Sequence, residues 1–313
     1  MYDQFAFQSY LEHWENTFKA TDPTHSVHFQ KENCIKRIKE QVISLNDLNH
    51  TIQLNCGQDY NLKFRKCVDL NGLDVCGKTM PYGGFIGGDY FDFHWRLDSR
   101  KEALSVAVGD SSGHGPESAP LMLTVREFIK ARASQPGPIS DVISEMNSYI
   151  TSSVQHTGNF MTLFYLTIDT KNRDLLWVRA GHEAGLVYDP TSETIEELKG
   201  NGVALGIADE FEYEEYTQSK LIDGQVIVVA TDGFYEALNE RGEMFSKNRL
   251  CNIIKENSKK PAKDILAAAF NELLKFTEKS QLQDDVTLVV IKAGGTNCYL
   301  PHSDHKNGVF LPN

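Results

Sequence analysis

Apolar and polar positions change their period along this chain of 313 residues. Residues 30–54 read QKENCIKRIKEQVISLNDLNHTIQL, with apolar side chains at Ile35, Ile38, Val42, Leu45 and Ile52 and Asn49 completing the alternation of three and four. This spacing predicts a helix with an a/d stripe over about three heptads, and its polar Asn at an a position can fix a two-stranded register. The same stripe suits an amphipathic helix lying on its own domain, so a homodimer through this helix is one of two readings. Residues 1–29 are aromatic-rich, and a short helix is predicted around Tyr10–Phe18.

From about residue 61 the period is mixed. Short β-rich runs predict strands at Ala103–Gly109, Phe160–Ile168, Leu175–Arg179, Gly185–Tyr188, Thr194–Leu198, Gln225–Ala230 and Val286–Ile291. Helical spacing predicts helices at Pro116–Ala133, Ile139–Val154, Lys247–Glu256 and Ala262–Phe276. Strands therefore come in groups with pairs of helices between them. Such grouping excludes a regular doubly wound sheet and predicts an α+β layered domain with mostly antiparallel sheets. Residues 294–313 are polar, bear Gly and Pro and show no period, which predicts a flexible tail. The expected organisation is a helical, regulatory segment over 1–60, a main domain over 61–293 and the tail. No internal repeat is present.

Composition narrows the function classes. Net charge is −12, which argues against nucleic acid as a general partner because phosphate backbones need a basic footprint. No run of eighteen apolar residues would span a bilayer, and the first residues lack the basic and apolar regions of a secretory signal. The chain is therefore expected to be cytoplasmic. Its six cysteines, Cys34, Cys56, Cys67, Cys76, Cys251 and Cys298, form no C-x-x-C pair and no zinc spacing, so reduced thiols are expected.

Four acidic positions share one context. Asp89 lies in IGGDYFDF, Asp110 ends VAVGD, Asp232 ends VIVVATD, and Asp284 with Asp285 precedes VTLVVI. Each sits at a predicted strand edge beside small or turn-forming residues. Singly, each reads as a turn aspartate. Together they can gather carboxylates in one place, where mutual repulsion demands cations. Oxygen-only ligands select hard ions, magnesium or manganese over zinc.

The ordered set GGDYFDF, VGDSSGHG, NFMTLFYLTID, AGHEAG, ATDGFYEA and QDDVTLVV resembles the bacterial SpoIIE/RsbU-type branch of the PPM (PP2C-like) serine/threonine phosphatases, over roughly Leu70 to Lys292. The resemblance implies an antiparallel β-sandwich flanked by helices in α-β-β-α layers, with two Mn2+ or Mg2+ ions at one end. It assigns Asp89 to one metal, Asp110 as the bridge between both, the Ser111 backbone carbonyl as a ligand, and Asp232 and Asp284 to the other metal; Asp285 is the lesser candidate. Two cations about 3.5–4 Å apart then activate the attacking water with no phosphoenzyme. His114 is a candidate general acid or a loop-shaping residue. His182 reads as structural, Asp92 as a support of the site or a surface residue, and Glu117 as a favourable acid at a helix start. The glycine-rich GKTMPYGGFIGGD and the distant N-terminal helix depart from the family pattern.

The implied substrate is a phosphoprotein, most often a STAS-domain anti-anti-sigma factor in partner switching, with an activator protein received at the N-terminal segment. Two rival readings remain: a catalytically silent partner-binding module of the same fold, and a phosphoesterase acting on small molecules.

Overall fold

The computed structural model describes residues 65–70, 72–84, 87–98, 101–113, 118–132, 137–154, 157–218, 220–277 and 282–294. The heptad segment 30–54, the helix around Tyr10–Phe18, the tail, His114 and Glu117 lie outside them.

In chain order the described elements are β1 (Arg65–Leu70), β2 (Leu73–Met80), β3 (Tyr90–Asp98), β4 (Lys101–Ser111), α1 (Ala119–Arg132), α2 (Ile139–Val154) and β5 (Met161–Asp169). There follow β6 (Leu175–Ala180), β7 (Gly185–Asp189), β8 (Thr194–Leu198), β9 (Tyr216–Gln218), β10 (Val226–Ala230), α3 (Asp232–Glu236), α4 (Lys247–Asn257), α5 (Ala262–Thr277) and β11 (Val286–Ala293). The strands form a six-stranded sheet in the order β1-β2-β11-β10-β7-β8 and a five-stranded sheet in the order β3-β4-β5-β6-β9. All neighbouring strands are antiparallel.

Both faces of each sheet are covered, which explains why the central strands read as unbroken apolar runs and not as an alternation. In β5, Phe164, Leu166 and Ile168 join Val106, Val187, Val229 and Val289 in the layer between the sheets. The alternate residues Leu163 and Tyr165 face the other way, into the layer shared with Ile129 of α1 and Ile143, Met146 and Ile150 of α2. A third apolar layer packs α4 and α5 through Leu250, Leu266, Phe270 and Leu273 onto Val228 of β10 and Val290 of β11. Full burial of each large aliphatic side chain contributes roughly 1.5–3 kcal/mol. The result is the α-β-β-α sandwich expected from the sequence. Among the described residues no helix is long and apolar enough to cross a membrane.

Polar contacts fix where helices begin. The Asp74 carboxylate on β2 accepts from Ala262 N at 2.7 Å, capping α5 from the sheet. Asn147, buried on α2, donates to Ala208 O at 2.7 Å and accepts from Gly206 N at 3.1 Å, strapping the β8–β9 connection across the helix.

Two findings depart from the sequence reading. β1, β2, β3 and β9 are additional strands; β1 and β2 interleave charged residues with apolar ones, and β9 spans only three residues. Cys67 and Cys76 are not reduced thiols but a disulfide, because the β1–β2 register sets them directly opposite one another. A separation of nine along the chain carries no trace of that register. Cys251 is a free thiol.

Leu166→Ala, which opens the layer between the sheets, should cost about 2–5 kcal/mol in urea unfolding, whereas exposed Glu256→Ala should stay within about 0.5 kcal/mol of the parent.

Candidate functional site

Strand ends from both sheets meet at one edge of the sandwich. In the six-stranded sheet, β2 ends and β11 begins together, at Met80 opposite Val286, while β10 ends at Ala230 opposite Leu288. In the five-stranded sheet, β3 begins at Tyr90 opposite Gly109, and β4 ends at Ser111 opposite Met161. Asp89, Asp110, Asp232 and Asp284 all leave these ends, so the register itself brings together residues up to two hundred positions apart.

Burial grades across the group. Asp89 is 8% exposed and Asp285 only 2%, while Asp110 and Asp284 are half-buried and Asp232 is the most exposed of the set, though still partly desolvated. Burial raises the carboxyl of Asp89 well above the usual range, and nearby Asp110 raises it further. Asp110 is pushed up to about 8, first by burial and then by the charges of Asp232, Asp284 and Asp285, while a hydrogen bond with Asp89 pulls it back. Asp232 is raised by burial and by Asp284 and Glu183, against the Gly233 backbone N–H, which favours its charge. The groups that act most strongly on Asp110 are thus other aspartates. Among the described residues no three His, Cys, Asp or Glu side chains stand at the spacing that holds a single ion, so the carboxylates share a region without closing on one point.

Asp285 does something different from its neighbour. Its Oδ1 accepts from Tyr82 N at 2.6 Å, and its Oδ2 accepts from Gly88 N at 2.7 Å and Asp89 N at 3.3 Å. The carboxylate is therefore committed to pinning the loop that delivers Asp89, which leaves Asp284 as the side chain facing the shared region. Gly87 is required here, because a Cβ would lie 1.8 Å from Asp285 Oδ2. Gly233 is required for the same reason: its Cβ would come within 2.0 Å of the Asp285 carbonyl.

A layer of hydroxyls supports Asp89 from below. Thr231 Oγ1 donates to Asp89 Oδ2 at 2.8 Å and accepts from Thr287 N at 3.0 Å; the Thr79 and Thr287 hydroxyls are 2.7 Å apart. Thr231 and Thr287 stand inside the TDG and DDVT runs, and their adjacency to the aspartates was the available signal. The Ser111 N donates to Gly88 O at 3.3 Å, and the Ser111 carbonyl lies against Gly88, beside Asp89. At the rim, Lys247 donates to Glu183 at 3.2 Å and to Glu197 at 3.1 Å. Asp92 is turned away from this edge, with its carboxylate 3.8 Å from His94 Nε2. His182 is 2% exposed, with Nδ1 2.8 Å from Thr162 Oγ1. Burial lowers its pKa to about 3, with help from the charge of Arg179, so its ring is neutral.

Two measurements follow. Asp285→Asn turns one acceptor into a donor against the loop amides, and should destabilise the fold by about 1–3 kcal/mol; Asp284→Asn should leave urea stability nearly unchanged. For His182 the unfolded ring takes up a proton below 6.5, which the folded ring refuses down to about 3. Its contribution is complete above pH 6.5 and is lost as pH falls through that window, at up to about 1.4 kcal/mol per unit. His182→Gln should abolish this component, so that it appears as the difference between the two pH–stability curves.

The model of the family described as Stage II sporulation protein E (SpoIIE) matches residues 100–294, more than half of the chain. The phosphoserine phosphatase RsbU of Bacillus subtilis (strain 168) is 25% identical over 264 residues, 84% of this chain and 74% of that protein. The structure of the RsbU and RsbW domains of Rv1364c from Mycobacterium tuberculosis superposes with a TM-score of 0.60 at 20% identity, over 71% of this chain and 60% of that one. RsbX in complex with magnesium superposes with a TM-score of 0.55 at 17% identity, over 73% of this chain and 99% of that one. With the family match spanning the strands and loops that carry three of the four carboxylates, the chain belongs to the SpoIIE family, in the SpoIIE/RsbU branch of the PP2C-like phosphatases.

Proposed function

We propose that this phosphatase hydrolyses phosphoserine or phosphothreonine on a regulatory protein, at a centre of two manganese or magnesium ions held by Asp89, Asp110, the Ser111 carbonyl, Asp232 and Asp284. The observation that carries the reading is that strand ends from both sheets bring Asp89, Asp110, Asp232 and Asp284 to one edge, where the charges of Asp232, Asp284 and Asp285 add to burial in raising the Asp110 carboxyl. Such a set is costly as bare anions and fits hard divalent cations, since every donor is oxygen. RsbX, which shares the fold, binds magnesium.

Divalent cations held there would supply an acidified water nucleophile and offset charge on the phosphoryl oxygens. The chain's own part is positional. Thr231 fixes one oxygen of Asp89, and Asp285 fixes the backbone that carries it. Asp110 stands between the buried Asp89 and the open Asp232, where one carboxylate can serve both sides. The graded exposure leaves the phosphate an approach from the Asp232 side. No cysteine or serine nucleophile is needed, and Cys251 takes no part.

A phosphoprotein substrate is supported by RsbU, a phosphoserine phosphatase. A STAS-type anti-anti-sigma protein is the substrate class the resemblance favours, with activation received through the N-terminal segment.

Hydrolysis of p-nitrophenyl phosphate should appear with manganese, vanish with chelator, and fall at least about 100-fold in Asp110→Ala and Asp284→Asn. A phosphoserine STAS protein should then be turned over faster than a panel of phosphorylated metabolites. A metabolite preference would favour a small-molecule phosphoesterase. A folded protein that binds manganese yet turns over no substrate would leave a partner-binding module.

A further inference from the structure

His182 sits at the seam between the two sheets, in the β6–β7 loop. That loop is held rigidly. Gly181 N donates to Gly202 O at 3.1 Å, and at Gly181 φ is +68° with a Cβ only 2.7 Å from Ala204 N, so no other residue fits without displacement. The His182 carbonyl accepts from Arg179 Nε, and Arg179 also donates to Gly200 O at 3.0 Å.

The ring faces both halves of the site. On one side Nδ1 is 2.8 Å from the hydroxyl of Thr162, the register partner of Asp110 across β4 and β5, and that hydroxyl lies 3.4 Å from the Asp110 carbonyl. The neutral ring has one N–H, which the Ala230 backbone draws to Nε2, so Nδ1 accepts from Thr162. On the other side Nε2 is sealed from solvent and makes no hydrogen bond of normal geometry, while the backbone of Ala230 acts on the ring. Ala230 ends β10, two residues before Asp232, and Thr231 N continues to Thr287 O at 3.1 Å.

We propose that His182 is a positioning residue that ties the main chain of Asp110, in one sheet, to the end of the strand that delivers Asp232, in the other. It touches neither carboxylate. It sets the spacing between the two main chains from which they project, and a neutral ring does so without adding charge to the seam. A mere filler would need the ring's shape and not its nitrogens. The inference deepens the two-cation reading and rests on it for its metal readout alone.

The test uses the whole chain and three kinds of variant. Thr162→Val keeps shape and removes the hydroxyl, His182→Phe keeps a ring without nitrogens, and His182→Asn keeps a polar group where Nδ1 stands. Amide hydrogen exchange and manganese affinity are measured on each. In Thr162→Val, exchange should speed up about 10-fold at residues 109–111, and manganese should bind about 10–100-fold more weakly, as when a group behind a ligand is lost. His182→Phe should also loosen 230–233, and His182→Asn should restore 109–111 but not 230–233. If folded Thr162→Val exchanges and binds manganese like the parent, or if His182→Phe changes exchange only within 180–184, the positioning role is wrong. If the parent itself binds no manganese, the two-cation function fails, and the exchange measurements still decide on His182.

Discussion

The acceptance of three backbone N–H groups by one buried carboxylate, Asp285, is the contact on which this site depends. It joins the start of β11 to the loop between β2 and β3, and so couples the six-stranded sheet to the first strand of the five-stranded one. Three amides on one carboxylate leave its oxygens little freedom to turn elsewhere. Its cost is steric: Gly87 and Gly233 have no room for a side chain. Its gain is that Asp89 enters the edge with its backbone already fixed, and needs only the Thr231 hydroxyl to orient its oxygens.

Much of the layering was legible because it rests on short-range signals. The boundaries of α2 and β8 are those that periodicity gives, and β5, β7, β10 and β11 announce themselves as apolar runs. The strands that escaped notice have a different physical character. β9 is three residues long, and β1 is paired only along one edge. The four carboxylates could be picked out from local context, since an aspartate beside glycine at a strand end is visible in a few residues. Distinguishing Asp284 from Asp285 was another matter. The amides that claim Asp285 lie some two hundred residues earlier, at Tyr82, Gly88 and Asp89, and no local pattern reports them. The Cys67–Cys76 bond and the Thr162–His182 contact were hidden for the same reason.

The acidic balance of the chain, −12 overall, sits oddly with an anionic substrate until the edge is considered in detail. Burial leads the upward shift at Asp89, and the charges of Asp232, Asp284 and Asp285 add to it at Asp110. Asp89 and Asp285, the least able to reach water, are held by hydroxyls and amides, and Asp232 is the most exposed of the set. Lys247 at the rim is already shared between Glu183 and Glu197, which keeps a basic side chain near the mouth without placing it among the aspartates.

The strand order carries a consequence for the life of the protein during synthesis. β11 lies at the middle of its sheet, between β2 and β10, yet it is the last described strand to leave the ribosome. Until it arrives, β2 lacks its inner neighbour, the Asp89 loop lacks Asp285, and one apolar layer has no floor. Pairing across so long a separation is slow and comes late. An unfinished chain therefore exposes sheet edges that invite association with other chains, and it cannot assemble a competent edge. Asp284 and Asp285 arrive with that same strand, so the carboxylate edge comes together only once β11 has paired with β2 and β10.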